Sequence, residues 1–319
     1  MKLNRKLLIL KDKMKKLIFA MAAALCLLSL ASCGKSAEPL SGVSVDRKEV
    51  KIDGLKKTYR ILFISDMHVI DPDQSVDESD ESTVAVRKDS FSNRYGNSAS
   101  YWKMFAPTVD SYRADAVILG GDMVDFCTSQ SISILKEGMS EIRTPKFYLR
   151  ADHDYANWYT KGTITSDQTK ALQKTVDSDE EVYILDEGEF LIVGINRSTD
   201  QITKTALAKL KEVFAEGKPI ILATHVPYLP QKGSSLADET NRVWERLLLW
   251  GDGCIYVPDA NTSAFMQMLY EKDSPVKAVL CGHLHFRHSD QLTDGIVQYV
   301  FDASYKGKVG LIEVSPTGS

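Results

Sequence analysis

Five short segments carry side chains suited to acid–base or metal chemistry: Asp66 with His68, Asp122 with Asp125, the run Asp152-His153-Asp154, His225, and His283 with His285. Imidazole and carboxylate donors without thiolate suit Mn, Fe, Zn or Ni in a reactive site better than a structural zinc. Taken singly, each segment has an ordinary explanation. One Asp-x-His pair most often marks a turn, Asp122 after two glycines can cap a helix, and His225 before Val226-Pro227 can be a loop residue packing on backbone. Their concentration argues otherwise. Five of the six histidines lie in these segments, and the sixth, His288, is three residues past His285.

Each segment follows an apolar run: Ile61–Ile64, Ala116–Leu119, Phe147–Leu149, Ile220–Ala223 and Val276–Leu280. Apolar runs of this kind, interrupted only by Lys277, predict strands covered on both faces. The carboxyl ends of such strands are where α/β sheets bind ligands. The two-residue period of a strand then predicts that Asp66 and His68, and likewise His283 and His285, project to one side and reach one ion. Helices are predicted over 99–112, 131–142, 240–250 and 263–270, and an amphipathic one over 203–215 with Leu207, Leu210, Val213 and Phe214 on one side. Val43–Lys56 reads as a hairpin turning at Asp53-Gly54, and 182–195 as a second hairpin around Asp186-Glu187-Gly188. The tail runs, 296–301 and 309–314, read as antiparallel strands closing a second sheet. Residues 71–100 show no period, only an acidic tract and a Ser/Asn-rich stretch. They read as a long loop, either a lid or a solvated insertion, and Phe91 and Tyr95 favour packing on a pocket. Arg94, Tyr95, Tyr155, Asn157, Trp158 and Tyr228 are candidate pocket walls.

The first 32 residues have a different character. Seven basic residues between Lys2 and Lys16 precede an apolar run from Leu17 to Leu30, too short to span a bilayer. Met14, directly before Lys15-Lys16, is an alternative start. Leu30-Ala31-Ser32-Cys33 resembles a bacterial lipoprotein box, so residues 1–32 are expected to be a signal peptide, Cys33 the lipidated mature N-terminus, 33–48 a tether and 49–319 one domain. The protein is then expected to be exported and anchored in the cell envelope through Cys33. A plain secretory signal is the alternative. Removing 1–32 takes away seven basic residues and one acidic, moving the formal charge from −4 to −10. So acidic a body argues against nucleic acid held by its phosphates, and no basic patch or protein-docking motif stands out. Cys127, Cys254 and Cys281 lack Cys-x-x-Cys spacing, which excludes a thiolate zinc site of that type. Cys281 reads as a small core residue, and one disulfide remains open.

Asp-x-His, Gly-Asp-x-x-Asp, a strand-end x-His-Asp, a lone His and Gly-His-x-His, in that order over Tyr59–His285, resemble the motif series of the calcineurin-like metallophosphoesterases. The resemblance implies a four-layer α/β/β/α sandwich with two mixed β-sheets and two divalent metal ions between them. It implies that Asp66, His68 and His285 hold one metal, that Asp122 bridges, and that Asp152, His225 and His283 hold the other. It makes His153 the acid or charge stabiliser, Asp154 the residue orienting its ring, and Asp125 support behind the ligands. Asp152 departs from the family pattern, which has Asn there, and Ala151 replaces a usual Gly. The extra charge is expected to tighten metal binding and weaken Lewis acidity. The implied activity is attack of a metal-bound hydroxide on a small phosphorylated substrate outside the cytoplasm, a phosphodiester preferred over a monoester. The alternative is a catalytically weak or inactive lipid-anchored binding protein on the same fold.

Overall fold

Along the central strands, successive side chains enter different hydrophobic cores. In β2 (Tyr59–Ile64), Ile61 and Phe63 face one core while Leu62 and Ile64 face another. Strands β3 (Ala116–Gly120) and β4 (Lys146–Leu149) divide the same way, with Ile118 and Phe147 on the first side and Leu119 and Tyr148 on the second. That alternation on wholly apolar strands is the signature of a sheet covered on both faces. The computed structural model describes residues 38–71, 81–125, 127–156, 166–231, 233 and 235–318. The expected signal peptide, Cys33, Asn157 and Trp158 lie outside the described residues, among which no helix is long and apolar enough to cross a membrane.

Two mixed sheets form. The first has the order β1-β11-β2-β3-β4, where β1 is Ser44–Ile52 and β11 is Lys308–Pro316; β2, β3 and β4 run parallel. The second has the order β5-β6-β7-β8-β10-β9 and comprises β5 (Val182–Asp186), β6 (Leu191–Ile195), β7 (Ile220–Ala223), β8 (Val276–Cys281), β9 (His288–Thr293) and β10 (Ile296–Val300). Strands β6, β7, β8 and β10 are parallel, with antiparallel β5 and β9 at the edges.

The sheets pack face to face through Ile61, Phe63, Ile118, Leu149, Ile192, Ile221, Leu280 and Phe301. Helices α2 (Ser98–Phe105) and α3 (Ser129–Glu141) cover the outer face of the first sheet with Trp102, Phe105, Ile132 and Leu135. Helices α6 (Lys204–Ala215), α7 (Ser235–Trp244) and α8 (Ala260–Tyr270) cover the second with Leu210, Leu236 and Phe265. The expected α/β/β/α sandwich is therefore observed. Short helices α1 (Glu81–Ser90), α4 (Asp152–Tyr155) and α5 (Ser166–Gln173) lie between these elements in sequence.

Several sequence expectations need correction. Val43–Lys56 is no hairpin: β1 is one nine-residue strand pairing parallel with β11, from Ser44↔Lys308 to Ile52↔Pro316. It begins inside the stretch read as tether, so ordered structure starts before residue 49. The tail strands separate, β10 joining the second sheet beside β8 and β11 crossing to the first beside β2. Alternation gives a strand's faces but not its partner. The aperiodic stretch contains helix α1, and the helix expected over 99–112 stops at Phe105, continuing as a 3₁₀ turn over Ala106–Tyr112. Pro107 has no N–H to continue the α-helical ladder. Helix α7 ends at Trp244, before Glu245 at φ 56°, rather than running over 240–250. Cys127, Cys254 and Cys281 are free and buried, so they form no disulfide.

Phe63 lies at the centre of the inter-sheet layer, 5.1 Å from the Phe301 ring and tight against Gly120. Phe63→Ala should lower unfolding free energy by about 3–5 kcal/mol in urea titration.

Candidate metal centre

The carboxyl ends of β2, β3 and β4 from one sheet, and of β7 and β8 from the other, open at a shared edge. There the chain leaves strand geometry. Asp66, His68, Asp122, His283 and His285 all adopt left-handed backbone, with φ of 53°, 48°, 50°, 71° and 53°. This changes the expected reason for their convergence: β2 ends at Ile64, and left-handed residues at i and i+2, not a strand's period, aim the paired side chains. Such backbone costs on the order of 1–2 kcal/mol per residue. The surroundings fix it. The Asp66 N–H donates to Gly121 O and the His68 N–H to Asp122 O, both at 2.9 Å. A side chain at Gly121, itself at φ 98°, would strike the His225 ring, and one at Gly282 would strike Asp66 and Ser65.

Donor atoms then gather in adjoining groups: Asp66, His68 and His285; Asp122, His225 and His283; and Asp122 with Asp152 and His153. His285 Nε2 is 3.2 Å from Asp66 Oδ1 and 3.1 Å from His68 Nε2. Ligands about 2.1 Å from one ion sit roughly 3.0–3.4 Å from each other, so these spacings fit a shared cation. His225 Nε2 is 3.1 Å from Asp122 Oδ2 and 3.8 Å from Asp66 Oδ1. Tautomers follow from the opposite ring atoms. His225 Nδ1 faces the Gly120 carbonyl at 2.8 Å, and a carbonyl only accepts, so Nδ1 carries hydrogen and Nε2 is the atom where a cation would take the place of a proton. His68 Nδ1 lies 3.1 Å from Asp125 Oδ1, which leaves its Nε2 in the same role. Asp122 Oδ1, His225 Nε2 and His283 Nε2 are buried without an aligned hydrogen-bond partner. Buried polar atoms left this way are costly unless something else satisfies them. The residues fit a dinuclear divalent centre, with Asp122 common to two groups. Asp152 groups with Asp122 and His153, and the His225 charge also acts on its carboxylate.

Charge within the cluster is strongly coupled. Burial opposes the His225 imidazolium, but the Asp122 and Asp66 carboxylates outweigh it and lift the pKa to about 10. Burial, reinforced by charged His225, drives His283 down to about 3. Burial and the neighbouring Asp122 raise Asp152. For His153 burial is again outweighed, here by Asp122, Asp125 and Asp152, giving about 9.

Two carboxylates behind the donors exchange the parts expected of them. Asp154 does not orient His153. It is fully buried and accepts the backbone N–H groups of Asp122 (2.8 Å), Val124 (3.0 Å) and Ala151 (2.8 Å), and the Tyr148 hydroxyl at 2.5 Å. Four donors select its ionised form; burial and Asp122 work against them and push its pKa up to about 7. Asp125 is the residue beside His153, its Oδ1 2.9 Å from His153 Nδ1, and it faces His68 with the same oxygen. Despite burial, Arg87 and the two imidazoles hold Asp125 well below the usual carboxylate range.

Arg87 carries no signal in the sequence, whereas Phe91 is one of the aromatic residues expected to pack on a pocket. Arg87 on α1 donates to both Asp125 oxygens, through Nε at 2.8 Å and through a still shorter Nη2 contact. Phe91 stacks parallel on the His68 ring at 4.1 Å. The aperiodic stretch thus supplies part of the centre; its aromatic content was the available signal. Trp244 (6.0 Å from the His285 ring), Tyr256 (5.5 Å from His283) and Tyr305 (5.6 Å from His285) line the histidine loop. Of the expected pocket walls, Tyr228 is core, Tyr95 stacks on Tyr101, Arg94 donates to Ser41 O and Tyr155 is bonded to Asp179.

Two packed mixed sheets, with imidazole and carboxylate donors at a common edge, define the architecture of a metal-dependent hydrolase. Residues 59–287 match the family model for calcineurin-like phosphoesterases, and the chain belongs to that family. No curated protein sequence matches it. Similar solved structures include a dimetal phosphatase from Danio rerio, 12% identical with TM-score 0.46, the match covering 79% of this chain and 89% of that one. Another is a purple acid phosphatase from yellow lupin (Lupinus luteus) seeds, at 14%, 0.48, 79% and 45%. A third is the phosphopantetheinyl hydrolase of Mycobacterium tuberculosis, at 11%, 0.37, 78% and 91%. Family and donor clusters together support a metal-dependent phosphoesterase.

Two outcomes follow from this geometry. Adding Mn to metal-stripped protein at a hundredfold excess over its Kd should stabilise it by about 2.7 kcal/mol and raise Tm by about 5–10 °C. An unchanged Tm with Mn, Fe, Zn and Ni alike would count against the centre. Asp154→Asn, which substitutes an N–H₂ for one accepting oxygen, should cost about 1–3 kcal/mol in urea denaturation.

Proposed function

We propose that this protein hydrolyses a phosphoester at the shared strand edge, using two divalent ions. The observation that carries the reading is the pair of adjoining donor groups joined through Asp122, with the partly exposed His153 beside them. Asp66, His68 and His285 would hold one ion, His225 and His283 the other, and Asp122 would contact both, with Asp152 completing the second set. Such a pair, when bound, supplies a nucleophile from water at neutral pH and neutralises the phosphoryl oxygens.

The chain's own groups do the rest. Asp125 takes the Nδ1 side of His153, so Nε2 is the atom that can donate to a phosphoryl or leaving oxygen. Arg87 and Phe91 hold Asp125 and the His68 ring in place, so little rearrangement is needed during turnover. A diester is preferred over a monoester on charge. A monoester dianion would bring two negative charges to a mouth already holding Asp122, Asp125 and Asp152, whereas a diester brings one. The reading includes export and anchoring through lipidated Cys33, supported by the basic and apolar sequence before it.

A carboxylate at Asp152, where the family pattern has Asn, favours a second reading: a metal-binding protein of weak activity, because the extra negative charge weakens the Lewis acidity of a bound ion. Metal analysis with assays on p-nitrophenyl phosphate and bis-p-nitrophenyl phosphate under varied metals separates the two. Close to two metals per chain and hydrolysis of either ester are expected; metal-free, inert protein would remove the hydrolase reading. His153→Ala should lower kcat by about 10²–10⁴ while metal content is kept. Asp152→Asn should leave metal stoichiometry unchanged, and its loss would show that a carboxylate is required there.

A further inference from the structure

Large apolar side chains exposed to solvent are not spread evenly over the surface. Among the described residues they are Val86, Met104, Val243, Trp244, Ile255 and Val257. Four of these fall within residues 243–257, the segment that flanks the His283–His285 loop. Trp244 donates its indole N–H to Leu284 O at 3.0 Å, and Tyr256 sets its ring 5.5 Å from His283. Val86 is the sequence neighbour of Arg87 on α1. Ile255 and Val257 are 53% and 58% exposed, too outward-facing to be walls of a closed pocket. Exposed apolar groups gathered at one place mark a surface that meets something apolar.

The topology places a second feature on that edge. Strand β1 is parallel to β11, and β11 is antiparallel to β2, so β1 begins where β2 ends, at the metal centre. The Ser44 N–H donates to Gly307 O. The turn just before Gly307 reaches the donors directly: the Tyr305 N–H donates to Asp66 O, and Lys306 Nζ donates to His285 O at 2.6 Å. The chain therefore enters the fold beside its own site. Ser44 is eleven residues after Cys33, a reach of at most roughly 40 Å at about 3.5 Å per residue.

From these two observations we infer that the rim formed by Val243, Trp244, Ile255 and Val257 docks on a lipid bilayer, presenting the metal centre to phosphoesters borne by membrane lipids. An aromatic side chain with its N–H satisfied, beside exposed aliphatic residues, suits the boundary between headgroups and acyl chains. The acidic body favours neutral over anionic lipid. Docking rests on the surface and the topology; the substrate class rests also on the phosphoesterase reading.

The test uses the full lipidated chain, metal-loaded, in phosphatidylcholine vesicles with and without brominated acyl chains. Trp244 emission, obtained as the difference between wild type and Trp244→Phe, should be quenched at least twofold. Hydrogen exchange over 243–257, which needs no variant, should slow at least fivefold relative to detergent-solubilised protein. The double variant Ile255→Ser, Val257→Ser should lose most of both effects while hydrolysing p-nitrophenyl phosphate within twofold of wild type. Release of phosphorylated headgroup by the wild type supports the substrate class. Unquenched Trp244 and unchanged exchange in vesicle-bound protein would overturn docking and leave the rim to a protein partner. Quenching with p-nitrophenyl phosphate turnover but no headgroup release would overturn the lipid substrate alone. Failure on every phosphoester would instead strike the phosphoesterase reading.

Discussion

One buried carboxylate fixes the relative position of the strand ends on which the centre is built. Asp154, at the end of β4, accepts the N–H groups of Asp122 and Val124 beyond β3 and of Ala151 in its own segment. Without it, three buried donors would have no acceptor, a larger loss than any single contact among the donor side chains. Asp122 is the residue common to two donor groups, so the bond to its N–H locates the point about which both are arranged.

Behind this clamp lies a division of work that side-chain identity alone does not reveal. Asp125 collects Arg87, His68 and His153, and so passes the position of an otherwise separate helix, α1, to both imidazoles. Arg150 does the same for the β4 end. It is wholly buried, paired with Asp177 at 2.5 Å and bonded to Gln173 of α5, whose amide in turn donates to Asp154 O. Buried charges of this sort are tolerated only when fully paired, which makes the segments supplying the partners part of the site's rigidity.

What could be read in the sequence, and what could not, follows from how local the determining interactions are. The strands preceding Asp66, Asp122, Asp152, His225 and His283 were legible because being covered on both faces leaves an apolar run, interrupted among these five only by Lys277. The donors were legible because few other roles gather five histidines at strand ends. The pairing of β1 with β11 was not, since it joins residues over 250 positions apart in the chain. The work of Asp154 was hidden because its partners are backbone groups, identical at every position. Arg87 was hidden because it acts from a short helix whose one buried residue, Val84, leaves no periodic trace, and Phe91, legible as a packing aromatic, gave no sign that its partner is the His68 ring.

The donor atoms come from both sheets: Asp66, His68 and Asp122 from the first, His225, His283 and His285 from the second. Elsewhere the sheets meet mainly through apolar side chains, which resist separation more than slip, with a few hydrogen bonds such as the Arg150 N–H to Asn196 Oδ1 and the Tyr299 hydroxyl to Glu49 O. An ion held by both sets would act as a rivet across that sliding interface. Unfolding would then lose its all-or-none character when the rivet is drawn, with one sheet and its helices able to open before the other.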